Sequence, residues 1–345
     1  MEKVYLTGLL PEEIVETLSL TQKFRAQQIF SWISKGAETF EQMTNLSKQD
    51  RAALSEKASI YSSNVSTVLE DPDGTIKLQI SLHDGNAVET VLLTDREGRK
   101  TACVSCQAGC PMKCAFCQTG TLGLSRNLTA GEIVEQFLYL EKKAGPLDNI
   151  VFMGMGEPML NLDGIRKAIA ILTDKRGRAL SSRRITLSTS GIVKGIYDLA
   201  DNGPLIRLAV SLTTADEELR TRLMPVNKTN PLHELKKAIK YYAEKTGKRV
   251  TLEAALMKDV NTTDESAKRL IDFARGMDVN VNLIPWNPVK TLPFSEPSSK
   301  EVKDFLFKLE RAGINVTLRT RRGQKIGGAC GQLGKSLAKS DEQEP

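Results

Sequence analysis

Histidine, aromatic side chains and long apolar runs are all scarce in this chain of 345 residues. No stretch approaches the ~20 apolar residues that a membrane-spanning helix needs, so no such helix and no membrane association are expected. The opening MEKVYLTGLLPEE has neither the basic start nor the apolar core of a secretion signal, and a cytoplasmic location is expected. Only 2 histidines occur. His83 and His233 fall in a hairpin turn and at a helix start, which argues against histidine acid–base catalysis. Aromatic residues make up 5%, so no base-stacking platform is evident. Neither sign of charge dominates: 48 Lys plus Arg against 42 Asp plus Glu leave +6, which permits an anionic partner without requiring one. At 40% hydrophobic and 26% charged the composition is that of a globular protein, not of a disordered, collagen-like or coiled-coil chain.

At ~150 residues per domain the length predicts about two domains. Residues 1–62 carry apolar side chains at spacings of three and four in LPEEIVETL, KFRAQQIFSWISK and SKQDRAALSEKA, and predict a helical accessory domain. Residues 63–98 change to alternating patterns in STVLE, TIKLQISL and AVETVLLT, separated by Asp71-Pro72-Asp73-Gly74 and Asp84-Gly85, and predict a small antiparallel β extension. Residues 99–334 alternate strand and helix. TACVSC, NIVFMGMG, RRITLSTSG, LIRLAVSL, RVTLEAALM, VNVNLIPWN and INVTLRTR are the expected strands, with capping boxes at Thr129/Glu132, Thr262/Glu265 and Ser298/Glu301. Such repetition predicts parallel strands, closed partly or fully into a barrel or laid out as an open sheet. Residues 335–345 are expected to be a disordered tail.

Ligands of parallel β/α folds bind beyond the carboxyl ends of the strands. The unusual polar residues fall there: the cysteine cluster, Gly154-Met155-Gly156-Glu157-Pro158, Ser188-Thr189-Ser190-Gly191, Ser211-Leu212-Thr213-Thr214, Pro285-Trp286-Asn287 and Gly327-Gly328-Ala329-Cys330. Five of the 6 cysteines, Cys103, Cys106, Cys110, Cys114 and Cys117, crowd one short segment. The spacing Cys110-x3-Cys114-x2-Cys117 offers three thiolates, enough for three irons of a four-iron cluster with the fourth iron left open for chemistry. Cys103-x2-Cys106 with Cys114-x2-Cys117 is the competing zinc arrangement; its intervening segment is shorter than usual and leaves Cys110 without a role.

CxxxCxxC followed by a GMGEP loop in a β/α chain resembles the radical S-adenosylmethionine (SAM) superfamily. CVSCQAGCPMKCAFCQTG, VFMGMGEP, LSTSG, LIPWNP and ACGQL together resemble the RlmN/Cfr family of RNA adenine methyltransferases, over nearly the whole chain and including FRAQQIFSWISKGAETFEQMTNLS. The resemblance implies a partial (β/α) barrel with the helical domain and β extension as additions. It implies Cys110, Cys114 and Cys117 as ligands of a [4Fe–4S] cluster, and Gly156, Glu157, Ser188, Ser211, Leu212, Thr213 and Asn287 as the SAM site, with two SAM consumed per turnover. Taken singly, the polar residues among these would pass for strand-end caps.

In the family, the cysteine matching Cys330 is methylated on sulfur, a 5′-deoxyadenosyl radical removes hydrogen from that methyl, and the carbon radical adds to adenine. Cys103 then attacks the sulfur, leaving a Cys103–Cys330 disulfide. Glu89 matches a proposed proton acceptor; its alternative is a solvated charge on a strand face. Arg319, Arg321, Arg322 and Lys325 precede Cys330 and would favour its thiolate. Implied partners are ribosomal RNA, for many members transfer RNA, and an electron donor such as flavodoxin or ferredoxin, acting on a monomer. Arg176/Arg178, Arg183/Arg184 and Lys236/Lys237 are candidate phosphate contacts, or solvated helix faces. Pro158 in GMGEP favours the RlmN branch, which modifies carbon 2, over the carbon-8 branch. Thr213 stands where the family commonly has His, Cys106 where Ser is usual, and QKIGG replaces a more acidic approach to ACGQL. A zinc-stabilised RNA-binding protein without catalytic activity is the alternative from another class.

Overall fold

The structure is a computed structural model that describes residues 3–334; the tail at 335–345 lies outside the described residues. Ten strands form one sheet whose spatial order is the chain order. They are β1 (Ser63–Glu70), β2 (Ile76–Leu82), β3 (Ala87–Thr94), β4 (Lys100–Cys103), β5 (Asn149–Phe152), β6 (Ile185–Thr189), β7 (Arg207–Ser211), β8 (Val250–Leu256), β9 (Val279–Pro285) and β10 (Asn315–Leu318). β1 to β4 pair antiparallel, and every pairing from β4 to β10 is parallel. Among the described residues β10 has no second neighbour, so the β/α part is an open, partial barrel. All seven expected parallel strands and the three of the extension are present.

Side-chain alternation explains which face carries what. In β8, Val250, Leu252, Ala254 and Leu256 are buried on the outer face beneath helices, whereas Thr251 and Ala255 on the inner face remain half-buried. β9 repeats this with Val279, Val281 and Leu283 outward and Asn280, Asn282 and Ile284 inward. The covering helices start where their caps dictate. Thr129 and Ser298 each accept the amide of Glu132 and Glu301, whose carboxylates return to the cap backbone. The third expected box is displaced by one residue: Thr263 caps Asp264–Ala274 by accepting from Ser266. Thr262 instead donates to Glu301 at 3.4 Å, so its hydroxyl ties two helices together rather than starting one.

The three N-terminal helices, Pro11–Leu18, Lys23–Ser34 and Lys48–Lys57, occupy the segments predicted for them, and their buried Ile14, Phe30 and Leu54 join the apolar cluster that continues under the sheet. A buried carboxylate anchors this region. Glu135, on the helix Ala130–Ala144, accepts from Thr7 Oγ1 at 2.6 Å, from the Ser62 amide at 2.7 Å and from the hydroxyls of Ser62 and Ser63. Burial pushes its carboxyl pKa up while these donors oppose the shift. Gly8 and Gly131 permit the approach: a Cβ on either would lie 3.1 Å from the other's backbone nitrogen.

Removing the carboxylate would leave several buried donors unmatched, at about 1–3 kcal/mol each where water cannot replace it. Glu135→Ala is therefore expected to destabilise the chain by about 3 kcal/mol, read as a lower denaturant midpoint, with Glu135→Gln intermediate. An unchanged midpoint in both variants would show that the contact contributes nothing.

Candidate active site

Beyond Cys103 the chain packs against the loop that follows β5. Met155 O accepts from the amides of Cys106 at 2.8 Å and Gln107 at 3.2 Å, while the Met155 amide donates to Ser105 Oγ at 2.8 Å. Ser105 Oγ in turn donates to Glu89 O at 2.6 Å, so one hydroxyl joins β3, the cysteine segment and the GMGEP loop. Both glycines of the loop are required by this approach. A Cβ at Gly154 would meet Val104 O at 2.7 Å, and Gly156, at φ +106°, would place one 2.6 Å from Gln107 Cβ.

Gln107–Cys110 and Gly123–Asn127 form a short antiparallel ribbon that presents the cysteine loop. Cys110, Cys114, Cys117, Gly156, Glu157, Ser188, Ser211, Thr213, Asn287 and Cys330 all line one cavity of about 190 Å³. Leu212, Cys103 and Glu89 do not line it. Leu212 turns its side chain into the core and contributes only backbone. Cys103 is 7% exposed, and its thiol feels the charge of Cys330. Burial pushes the Cys103 thiol to about 12, Cys330 adds to the shift, and Arg319 opposes it. Cys330 is exposed to the cavity but deep within the protein, and burial raises its thiol pKa too, again against Arg319. Two of the other three cations expected near Cys330 are engaged elsewhere, Arg321 with Glu296 and Arg322 with Asp73 O, while Lys325 is tied to Asp71 through its backbone amide.

Glu157 is buried, and its oxygens accept from Thr189 Oγ1 at 2.7 Å, the Ser190 amide at 2.7 Å and the Met159 amide at 3.0 Å, so it ties the β5 loop to the end of β6. Asn287 spends its amide on the C-terminal arm, donating to Cys330 O at 3.0 Å and accepting from Gln324 at 3.1 Å. The departure at Gln324 is thus part of how Cys330 is held. Thr213 adopts φ +61°, a strained choice for a β-branched residue, with its amide donating to Glu253 O and its carbonyl accepting from Asn261. Cys106 lies in the apolar core as a small buried thiol.

The donor set separates the two metal arrangements. Zinc would require four sulfurs at ~2.3 Å from one centre, but Cys103 and Cys106 stay outside the cavity, and among the described residues no three His, Cys, Asp or Glu side chains converge on a single ion. A cuboidal cluster asks less of convergence, because each cysteine binds a different iron. Cys110, Cys114 and Cys117 line the same cavity, Cys117 lies within electrostatic reach of the other two, and burial pushes Cys110 to about 12 and Cys114 well up. Buried thiols of this kind give up protons only to strong positive charge, which an iron–sulfur centre supplies. These residues fit the cluster, and the cavity beside them fits a ligand of SAM's mixed polarity.

Glu89 is not a solvated strand charge. It is fully buried, pairs with Lys77 Nζ at 2.9 Å, and accepts the Gly334 amide at 2.7 Å. Lys77 also donates to Gly327 O at 3.4 Å, and Asp73 accepts the Gly323 amide at 2.8 Å. The β extension is therefore a cradle for the arm that carries Cys330. Lys77 had no distinguishing local signal, nor did Arg220. In EELRTRL, Arg220 reads as a solvated helix position; in the structure it is fully buried and donates to Ser190 O at 2.7 Å, Asn227 Oδ1 at 2.8 Å and Leu212 O at 3.2 Å. Burial lowers its pKa to about 10.

Residues 104–274 match the model of the radical SAM superfamily, and the fold and cysteine-lined cavity define this protein as a radical SAM enzyme. Such enzymes use a [4Fe–4S] cluster and SAM. Residues 17–60 match the ribosomal RNA large subunit methyltransferase N-terminal domain. A Treponema denticola protein named "Probable dual-specificity RNA methyltransferase RlmN" is 60% identical over 339 residues, covering 98% of each chain. One of the same name from Alkaliphilus oremlandii is 43% identical over 96% of this chain and 98% of its own. The crystal structure of a radical SAM methyltransferase from Sphaerobacter thermophilus matches with a TM-score of 0.92 at 40% identity, covering 96% of this chain and 99% of that one. The chain belongs to the RlmN family.

Breaking a buried ion pair by removing one partner costs about 3–5 kcal/mol. In Lys77→Met that loss falls on the arm's cradle, and trypsin is expected to cut after Arg322 and Lys325 several times faster than in the parent, with Lys77→Arg largely restoring protection. Equal cleavage rates in all three proteins would refute the cradle.

Proposed function

We propose that this protein methylates carbon 2 of an adenosine in large-subunit ribosomal RNA, and of an adenosine in transfer RNA, through an S-methylated Cys330. One arrangement carries the reading: Cys330 faces the cavity lined by Cys110, Cys114 and Cys117, while Cys103 stands within electrostatic reach of its sulfur. The relatives' name, dual-specificity RNA methyltransferase, supports RNA of two kinds as substrate. Residues 99–334 form the catalytic unit in this reading, with 1–62 and 63–98 as accessory units, and the protein works in the cytoplasm as a monomer supplied with electrons by flavodoxin or ferredoxin.

Cys110, Cys114 and Cys117 would hold the [4Fe–4S] cluster; Gly156, Glu157, Ser188, Ser211, Thr213 and Asn287, with the Leu212 backbone, would surround SAM. Together these groups supply, when bound, an electrophilic methyl in one event and a hydrogen-abstracting carbon radical in another. Direct methyl transfer to carbon 2 is closed, because the amidine carbon of adenine is not a nucleophile. The Cys330 thiolate is one, once its proton has left, and Arg319 is the cation beside it. Once its methyl had given a hydrogen atom to that radical and the carbon had bonded to adenine, the ring would pass one electron to the oxidised cluster held by Cys110, Cys114 and Cys117 and lose its proton to a base, leaving Cys330 tied to the RNA. Cys103 Sγ then attacks Cys330 Sγ, the S–S bond forms as the S–C bond breaks, and the freed carbon takes a proton to become the methyl group. We assign Glu89 to holding the arm, because Lys77 and the Gly334 amide each take one of its oxygens.

Anaerobic protein incubated with reductant, SAM and ribosomal RNA fragments tests this, with nucleosides separated by mass spectrometry. Iron with 2-methyladenosine is the expected result. Cys110→Ala should lose the iron, Cys330→Ala should keep it and methylate nothing, and Cys103→Ala should accumulate a covalent protein–RNA adduct. The 8-methyl isomer would reassign the carbon, and zinc without iron would overturn the mechanism.

A further inference from the structure

A second hollow of about 540 Å³ continues from the first along the inner face of the open barrel, and Met153, Glu253 and Arg319 line both. Four uncharged polar side chains, Thr186, Thr251, Asn280 and Asn282, share its walls with the apolar Val151, Met153, Ile206 and Ala209, whereas a closed barrel is filled mainly by Val, Ile and Leu. At its foot stand Arg183, Arg207, Lys248 and Arg249. Arg249 pairs with Asp278 at 2.8 Å. Arg183, Arg207 and Lys248 have no carboxylate partner among the described residues, whereas Arg176, Arg178, Lys237 and Arg321 each have one. Among the described residues the acidic side chain lining the hollow is Glu253, which accepts from Asn282 at 3.0 Å; Asp278 lies outside the lining, paired with Arg249. SAM carries no phosphate, so these cations answer to something else.

We propose that Arg183, Arg207 and Lys248 form a phosphate-binding rim that grips the RNA backbone while the target base extends up the hollow to the cavity at Cys330. The inference rests on the RNA reading above. Its geometric basis is the strand β7: Arg207 lies at the foot and Ser211 at the cavity, four residues and about 13 Å apart at ~3.3 Å per residue. An extruded nucleotide covers most of that span from phosphate to base edge, and the Arg207 side chain, reaching toward the phosphate, covers the rest. Polar side chains in the wall suit a sugar and a base in transit, and three guanidinium and ammonium groups without a carboxylate partner among the described residues suit phosphodiesters flanking it.

The test is a triple variant, Arg183→Gln, Arg207→Gln and Lys248→Gln, with Arg184→Gln as control and melting temperature as the check of folding. Binding of a synthetic RNA hairpin with an unpaired adenosine is measured against salt. Losing three phosphate contacts should lower the steepness of log K against log salt by about 2, at ~0.7 per contact for single strands, and raise KM for the hairpin at least tenfold in assays reduced by dithionite. Parent-like slope and KM in the triple variant would overturn the rim. A defect that appears only with flavodoxin and vanishes with dithionite would make this the electron donor's docking site and also overturn it. If the parent itself methylates no RNA, the RNA reading fails, and the rim with it.

Discussion

Ser105 is the hinge of the construction. Its hydroxyl donates to Glu89 O and accepts the Met155 amide, so a strand of the β extension, the cysteine segment and the GMGEP loop meet at one oxygen. Contact that close is possible only because Gly154 and Gly156 present no side chain to Val104, Ser105 and Gln107. The consequence reaches in both directions along the chain. Cys103, just before the junction, is buried within electrostatic reach of Cys330, while Cys110, after it, emerges on the short ribbon beside the cavity. Two cysteines seven residues apart thereby serve different neighbourhoods, which their spacing alone could not separate.

Charges are buried here wherever loops must be held without large apolar contact. Arg220 lies fully buried with no carboxylate partner among the described residues, and hydrogen bonds to carbonyls from two loops stand in for one. Lys77 and Glu89 form a buried pair whose spare capacity goes to Gly327 and Gly334 of the arm. Such pairs contribute little net stability against an apolar alternative, but they are costly to break singly. What they add is definition: the arm carries Cys330 at its centre and is fastened at Gly323, Lys325, Gly327 and Gly334 to one side, and at Asn287 to the other.

The strand order and the helices were legible because their hydrophobic periods are regular and the caps at Thr129 and Ser298 follow a simple rule. The cap at Thr263 was not, since three adjacent residues, Asn261, Thr262 and Thr263, can all accept an amide, and only the tie from Thr262 to Glu301 decides among them. Ten of the thirteen site residues that the family resemblance implied line the cavity; position beyond the strand ends marked the loops at Gly156, Ser188, Ser211 and Asn287, and only the resemblance gave them roles. Glu89 was misjudged as equally a solvated charge: alternation along AVETV says which face a residue takes, not that a C-terminal arm will cover that face. Lys77 and Arg220 escaped notice for the same reason, their partners being distant in the chain.

The openness of the barrel follows from the same inner face. Closing it would bury Thr186, Arg207, Thr251 and Asn280 against one another, and polar groups removed from water without partners cost more than the added strand pairing returns. An open barrel must then guard its free edge. β10 does so by being only four residues long and by ending in a run that includes Arg319, Arg321 and Arg322, charges that a second sheet edge would have to desolvate. The polar inner face, the short final strand and the side opening are therefore one solution, and it leaves the cavity at Cys330 accessible to a substrate too large to pass through a closed barrel.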